Sequence, residues 1–237
     1  MYECSDSHWG VSVSQILQVF NPYCAYFDPI VATRCWYTQL YNKMCKAGFV
    51  CVSVDHSVFI KHSDSSHAMI TVHVDDMAAA TSNSATLQKT IQDLQNIINI
   101  VDMGPIKWFL GMAVMRAQTH CTITLSQTAY IDTILKHFKM EDSYTVSTPL
   151  DPNVMLDKLM LPQSNEEWKK MKGIPYLAGV GPLMYASMAT QPDITYATNK
   201  LSQFNADPGL PHWMALQWVL RYLKRTRTLA LTLGGTM

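Results

Sequence analysis

The chain has 237 residues, enough for one large domain or two small ones. Apolar residues make up 48% and charged residues 15%, which permits a sizeable core and excludes wholesale disorder. The formal net charge is zero, so composition alone does not mark a nucleic-acid binder. Charge is nevertheless uneven: residues 1–110 carry 6 basic against 9 acidic side chains, and residues 111–237 carry 12 against 9.

The opening Met1-Tyr2-Glu3-Cys4-Ser5-Asp6 has neither a basic stretch nor an apolar run. No secretory signal or membrane-spanning segment is expected, so the reading is a soluble, intracellular protein that is not secreted. The six cysteines (Cys4, Cys24, Cys35, Cys45, Cys51 and Cys121) form no C-x-x-C pair and no zinc-like spacing. They read as reduced thiols.

Residues 1–32 show no clean period and stay unplaced. From Thr33, the residues Trp36, Leu40, Met44 and Ala47 recur at helical spacing, and Gly48 stops the run. Val58-Phe59-Ile60 reads as a short strand, and Ser63 to Ser66 as a turn. Met69 to Val74 predicts a strand with Ile70, Val72 and Val74 on one face and Thr71, His73 and Asp75 on the other. Met77 to Ala80 can return as its hairpin partner. A helix follows, with Ser84 as N-cap and a stripe of Leu87, Ile91, Leu94, Ile98 and Val101; Gly104-Pro105 breaks it. Residues 107–115 and 122–125 read as strands, and Ser126 as the cap of a helix carrying Tyr130, Ile131, Ile134, Leu135 and Phe138. Residues 145–175 suggest a long irregular connection. Three helices are expected at about 176–190, 192–204 and 212–225. Strands dominate the first half and helices the second, which argues α+β rather than a doubly wound sheet.

Asp75 and Asp76 follow an apolar strand and precede a return of small residues. Adjacent carboxylates at a tight turn repel each other, and a hard divalent cation relieves that repulsion. Aspartate pairs are also common in solvated turns, so the dipeptide alone does not specify a metal site.

Its neighbours do more. Thr71-Val72-His73-Val74-Asp75-Asp76-Met77 resembles the V-(Y/H)-V-D-D-(M/L) segment of Ty1/copia-type retrotransposon reverse transcriptases. In the same order, Gly104 to Met112 resembles the family's G-x-x-K-(Y/W)-F-L-G-(M/I), and Ile123 to Ile131 its I-x-L-S-Q-x-x-Y-I. Val146-Ser147-Thr148-Pro149-Leu150, Val180 to Tyr185, Gln191-Pro192-Asp193-Ile194, Leu201 to Phe204, His212-Trp213 and Leu220 to Lys224 continue the match. Arg34-Cys35-Trp36-Tyr37 resembles the end of an R-x-W-Y segment. Each motif is weak alone; in one order over roughly 34–235 they are specific.

The resemblance implies an incomplete right-hand polymerase. An antiparallel palm with helices would cover 33–125, and a helical thumb or connection region 126–237. It implies RNA-directed DNA synthesis by two-metal nucleotidyl transfer, with Mg²⁺ (or Mn²⁺), a primed RNA or DNA template and deoxynucleoside triphosphates. The remainder of a retrotransposon polyprotein is a further implied partner, and a cytoplasmic or virus-like-particle location would follow. Asp75 and Asp76 are the catalytic, metal-binding positions it carries over. His73 would lie beside the primer end, or be an ordinary strand residue. Trp108 would support the primer strand or pack with Phe109 in a core. Arg221, Lys224 and Arg225, with Arg227, would contact phosphates or complement a helix C-terminus. Lys169, Lys170 and Lys172 read as a solvated face, and Trp213 and Trp218 as packing residues. The acidic half beside a basic one is compatible with such an enzyme.

The pattern also departs from the family. The segment M-D-V-x-x-A-F-L, which carries a third aspartate, has no counterpart, and Asp6, Asp28 and Asp55 lack its neighbours. Gln191 stands for an Arg, Pro182 for a Ser, and Met214 for an acidic residue. Expected activity is therefore weak or absent. A non-catalytic nucleic-acid-binding remnant and an unstable pseudogene product are the competing readings.

Overall fold

The structure, a computed structural model, describes residues 13–19, 29–63 and 66–235, with side chains at Leu17 and from Arg34 onward within those ranges. Asp6, Asp28, Cys4 and Cys24 lie outside the described residues. The chain is α+β with antiparallel sheets and divides into two compact units, residues 1–109 and 110–237.

In the first unit, β1 (Val13–Val19) precedes α1 (Pro29–Lys46). Then come β2 (Val50–Cys51), β3 (Val58–Ser63), β4 (Ser66–His73) and β5 (Asp76–Thr81). α2 (Ser84–Gln95), β6 (Ile100–Pro105) and β7 (Trp108–Phe109) complete it. Six strands form one sheet in the order β2-β3-β4-β5-β1-β6. One face is apolar: Phe59, Ala68, Ile70, Met77 and Ala79 are buried there with Trp36, Leu40 and Met44 of α1 and Leu87, Ile91 and Leu94 of α2. Full burial of each large side chain contributes about 1.5–3 kcal/mol, so this packing dominates the unit's stability.

The helical stripe at Trp36, Leu40 and Met44 is observed, but α1 starts earlier, at Pro29. Proline suits the first helical turn, where its missing N–H has no partner to lose. Gly48, at φ 82°, ends the helix as expected, and the Phe49 amide closes onto the Met44 carbonyl at 3.0 Å. Asn83, not Ser84, caps α2: its Oδ1 accepts from the Thr86 amide at 2.8 Å. That helix ends at Gln95, so Val101 is an exposed strand residue rather than part of the stripe. Gly104-Pro105 correspondingly closes β6 instead of breaking a helix. β1 was not expected; it lies between β5 and β6.

The second unit holds β8 (Met112–Ala117), β9 (Thr122–Ser126) and, after its helices, β10 (Leu231–Gly234). The single strand expected over 107–115 is thus interrupted by Leu110 and Gly111, both at positive φ (50° and 76°). The helices are α3 (Thr128–His137), α4 (Asn165–Met171), α5 (Tyr176–Ala189), α6 (Thr195–Ser202) and α7 (Leu210–Thr226). The three expected C-terminal helices are present, whereas α4, inside the supposed irregular stretch, and β10 were missed. Their core gathers Ile131, Leu135, Tyr176, Val180, Leu183, Leu201, Leu216 and Leu220. Trp213 packs on Phe138 against the core, as expected of a packing residue, whereas the contact of Trp218 is a hydrogen bond donated to the Thr148 carbonyl at 2.9 Å. Among the described residues no helix is long and apolar enough to cross a membrane. Cys35, Cys45 and Cys51 are free thiols, but Cys121 is disulfide-bonded, which corrects the reading of six reduced thiols. Sequence spacing does not report which sulfurs the fold brings within bonding distance.

Two positions in this unit give direct tests. Pro182 lies inside α5 and cannot donate to the Ala178 carbonyl. Pro182→Ser is expected to stabilise the chain by up to about 3 kcal/mol, read as a higher urea midpoint; an unchanged or lower midpoint refutes the assignment.

His212 is fully buried, stacked 4.0 Å from Phe204, and its Nδ1 accepts from the Gly209 amide at 2.9 Å. Gly209 is required there because a Cβ would sit 2.0 Å from the Met160 carbonyl oxygen. Burial pushes the His212 pKa below its ordinary 6.5, outweighing the opposing influence of Asp157. The neutral ring is thus favoured by folding. Its contribution is complete above pH 6.5 and declines as the pH falls below that value. The unfolding midpoint of the native chain should drop more steeply from pH 7 to pH 5 than that of His212→Asn, which keeps an acceptor but does not titrate. Parallel slopes would refute this.

Candidate functional site

β4 and β5 pair from Ala68↔Thr81 to His73↔Asp76, leaving Val74 and Asp75 as a two-residue turn. Such turns favour glycine or asparagine, because at least one central residue needs positive φ. Here Val74 takes that conformation, at φ 55°. A β-branched side chain there is strained by about 1–3 kcal/mol, and such strain concentrates at functional sites. Two things hold the turn. Below it, Val72↔Met77 and Ile70↔Ala79 bury apolar side chains against the helices. Beside it, the Trp36 indole N–H donates to the Val74 carbonyl at 3.2 Å. The next residue of α1, Tyr37, donates to the His56 carbonyl at 3.2 Å, in the connection from β2 to β3. The Trp-Tyr pair of the R-x-W-Y segment therefore ties two connections of the sheet to one helix.

The sheet's second face carries Asp76 and His73. Asp76, Ala78 and Ala80 alternate with the buried Met77, Ala79 and Thr81. The two alanines keep the surface beside Asp76 low. His73 is exposed in register with Asp76. Asp75 and Asp76 are half-buried, and Asp75 Oδ1 is buried with no hydrogen-bond partner among the described residues. A buried carboxylate oxygen without a donor is costly unless a ligand completes it.

The donor set tests a metal. Two adjacent carboxylates offer hard oxygens, and Mg²⁺ is commonly held by one or two carboxylates with water and phosphate completing the shell. The pair fits one such ion. Among the described residues no group of three or more His, Cys, Asp or Glu side chains is placed to hold a metal. β1, the strand paired with β5, has Gln18 in register with Asp76 and carries no acidic residue. Asp55 is exposed and committed elsewhere: its Oδ1 accepts from the Ser57 hydroxyl at 2.7 Å and amide at 2.9 Å, which holds its carboxyl below the usual range.

The remaining candidates fall in both units. Trp108 is 54% exposed, so the aromatic core pair with Phe109 is not formed. Arg221, Lys224 and Arg225 belong to the second unit. The Arg221 guanidinium lies 4.4 Å from the Tyr144 ring centre, Lys224 donates to the Ser143 carbonyl at 2.6 Å, and Arg227 pairs with Asp132 at 2.9 Å. Arg225 is exposed. Sequence reasoning missed Trp36 as a positioning residue, although its place in the R-x-W-Y segment was a signal.

Val74→Gly is expected to relieve the turn and raise stability by about 1 kcal/mol, the low end for such strain. Trp36→Phe should lower it by about 1 kcal/mol through the lost hydrogen bond. Urea unfolding of both variants checks the pair; destabilisation by Val74→Gly would contradict the strained turn.

A sequence model of the reverse transcriptase (RNA-dependent DNA polymerase) family matches residues 27–152. The retrovirus-related Pol polyprotein from transposon TNT 1-94 of Nicotiana tabacum is 35% identical over 86% of this chain, which spans 16% of that polyprotein. The counterpart from transposon RE1 of Arabidopsis thaliana is 34% identical over 82% of this chain and 13% of its own length. The putative transposon Ty5-1 protein of Saccharomyces cerevisiae is 27% identical over 83% of this chain and 61% of its own. No solved structure matches at a significant level. With more than half of its length matched by the family model and its motifs in the family's order, the chain belongs to the reverse transcriptases of the Ty1/copia retrotransposon type.

Proposed function

We propose that this chain is the surviving palm and thumb portion of a copia-type reverse transcriptase, retaining the aspartate turn of an RNA-directed DNA polymerase with weak or no synthesis. The observation that carries the reading is the buried, partnerless Asp75 Oδ1 in a strained two-residue turn beside Asp76. In this reading the first unit is the palm and the helices of the second belong to the thumb and connection region.

Asp75 and Asp76 would hold a divalent cation, Mg²⁺ or Mn²⁺, which would supply charge neutralisation for a phosphoryl transfer. The protein's own contribution is positional. Trp36 fixes the turn carbonyl, the core beneath β4 and β5 fixes its height, and Ala78 and Ala80 leave room on the open face for a primed template. His73, exposed in register with Asp76, would lie against the primer end. Template, primer and deoxynucleoside triphosphates are the partners proposed, with the rest of a polyprotein as physical context.

Weak synthesis follows from the donor count. Two-metal catalysis clamps both the attacking and the leaving oxygen. A pair of carboxylates with Gln18 in register opposite Asp76 supports one ion better than two. A purely nucleic-acid-binding remnant is less favoured, because Arg221, Lys224 and Arg227 are engaged within the second unit.

Primer extension on RNA and DNA templates tests the reading. Slow Mg²⁺- or Mn²⁺-dependent extension is expected, abolished in Asp75→Asn and in Asp76→Asn. Gln18→Asp, which adds a carboxylate in register with Asp76, should increase it by at least tenfold. Extension that survives both asparagine substitutions would remove the aspartates from catalysis. Salt-sensitive template binding without any extension, even in Gln18→Asp, would favour the binding remnant.

A further inference from the structure

The hairpin of β3 and β4 carries a second constellation. His62 and His67 are directly opposed in its register, one position in from the closing pair Ser63↔Ser66. The His67 carbonyl accepts from the Ser82 amide at 3.0 Å, so its backbone bonds point toward β5 and away from β3. His62 and His67 are therefore a non-hydrogen-bonded pair, the kind whose side chains approach most closely. Phe59↔Ile70 sets the buried face, and alternation puts both histidines on the opposite, exposed face. Their rings meet edge to face with centroids 4.9 Å apart, and the two Nδ1 atoms are 2.8 Å from each other.

We propose that His62 and His67 form a chelating site for a late first-row divalent cation of the Ni²⁺ or Cu²⁺ class. Imidazole is a preferred ligand for these ions. With metal–nitrogen bonds of about 2.1 Å, two nitrogens in neighbouring positions of a square or octahedral shell are about 3.0 Å apart, against about 3.4 Å on a tetrahedral ion such as Zn²⁺. The observed 2.8 Å lies closer to the first separation than to the second, and binding turns the two rings so that both lone pairs converge on one ion.

Without metal, one Nδ1 carries the proton of their mutual hydrogen bond and the other accepts it. With metal, both Nδ1 atoms present lone pairs to the ion, so the proton they share in the hydrogen bond leaves Nδ1. Water supplies the remaining positions. β4 is flanked on both sides by hydrogen-bonded strands, which gives the pair a rigid mount. The site is separate from the aspartates: His67 and His73 are six residues apart on β4, about 20 Å along the strand.

Calorimetric titration of the full chain with Ni²⁺, after alkylating its free thiols, tests the site. The native chain is expected to bind one ion more tightly than any other. His62→Gln and His67→Gln should each weaken that binding at least tenfold, because each leaves a single imidazole. His73→Gln and Asp75→Asn should leave it unchanged. Unfolding midpoints of the two glutamine variants are measured without metal, so that binding is compared only between folded chains. Binding equally tight in either glutamine variant would overturn the site. So would loss of the tight ion in His73→Gln or Asp75→Asn. Failure of primer extension would leave this result untouched, since the two sites share no ligand.

Discussion

The hydrogen bond from the Trp36 indole to the Val74 carbonyl joins the helix that supports the sheet to the turn that carries its aspartates. Its importance lies in what the turn lacks. A two-residue connection between His73 and Asp76 calls for a residue tolerant of positive φ, and valine is among the least tolerant. Glycine would be locally comfortable but loose. Valine on an apolar strand, with its carbonyl fixed by an indole, makes a turn whose shape is imposed from outside. The imposing forces are ordinary: Phe59, Ile70, Met77 and Ala79 buried against α1 and α2. One hydrogen bond of about 1 kcal/mol cannot offset the strain alone, whereas several buried side chains can.

What was legible in the residues follows the same logic. The β4–β5 hairpin and the stripe of α1 could be read because their apolar periods are uninterrupted. The C-terminal helices could be read for the same reason, even with Pro182 inside one of them. β1 could not: Gln15 and Gln18 interrupt its apolar residues, and its place is defined by two neighbours far away in the chain. α4 was hidden because its sequence is almost wholly polar apart from Trp168 and Met171, and its start rests on the local cap of Ser164. Ile98 and Val101 continued the spacing of α2 past its real end at Gln95, so periodicity overran the helix. Of the site, the aspartates were legible as a pair. Their turn geometry and the Trp36 contact were not, because both depend on tertiary packing.

The basic residues of α7 show why charge counting misleads. Four cations near a helix end suggested a phosphate-binding surface. Arg221 lies over Tyr144, Lys224 satisfies a backbone carbonyl, and Arg227 pairs with Asp132. Each contact is modest, since a partly exposed ion pair contributes about 0–1 kcal/mol. Arg221 and Lys224 fix the 143–144 segment to the helix, Arg227 ties its end to α3, and Arg225 is left exposed. The uneven charge of the two halves of the chain is thus partly spent inside the second unit.

The aspartate pair can now be weighed as a physical object. Two carboxylates held about 4 Å apart would repel by about 1 kcal/mol in water and about 4 kcal/mol near a protein surface. Strain at Val74 adds about 1–3 kcal/mol. Neither penalty depends on whether a third carboxylate is present, and neither is met by anything in the turn itself. Both are met by the hydrophobic layer beneath β4 and β5 and by Trp36. The turn can therefore keep its shape whatever side chain the neighbouring strand presents, and β1 places Gln18 in register with Asp76. Shape and metal occupancy are separable here: packing maintains the first, and the number of oxygen donors limits the second. An Asp-Asp turn held in this way keeps its shape independently of whether a cation is bound.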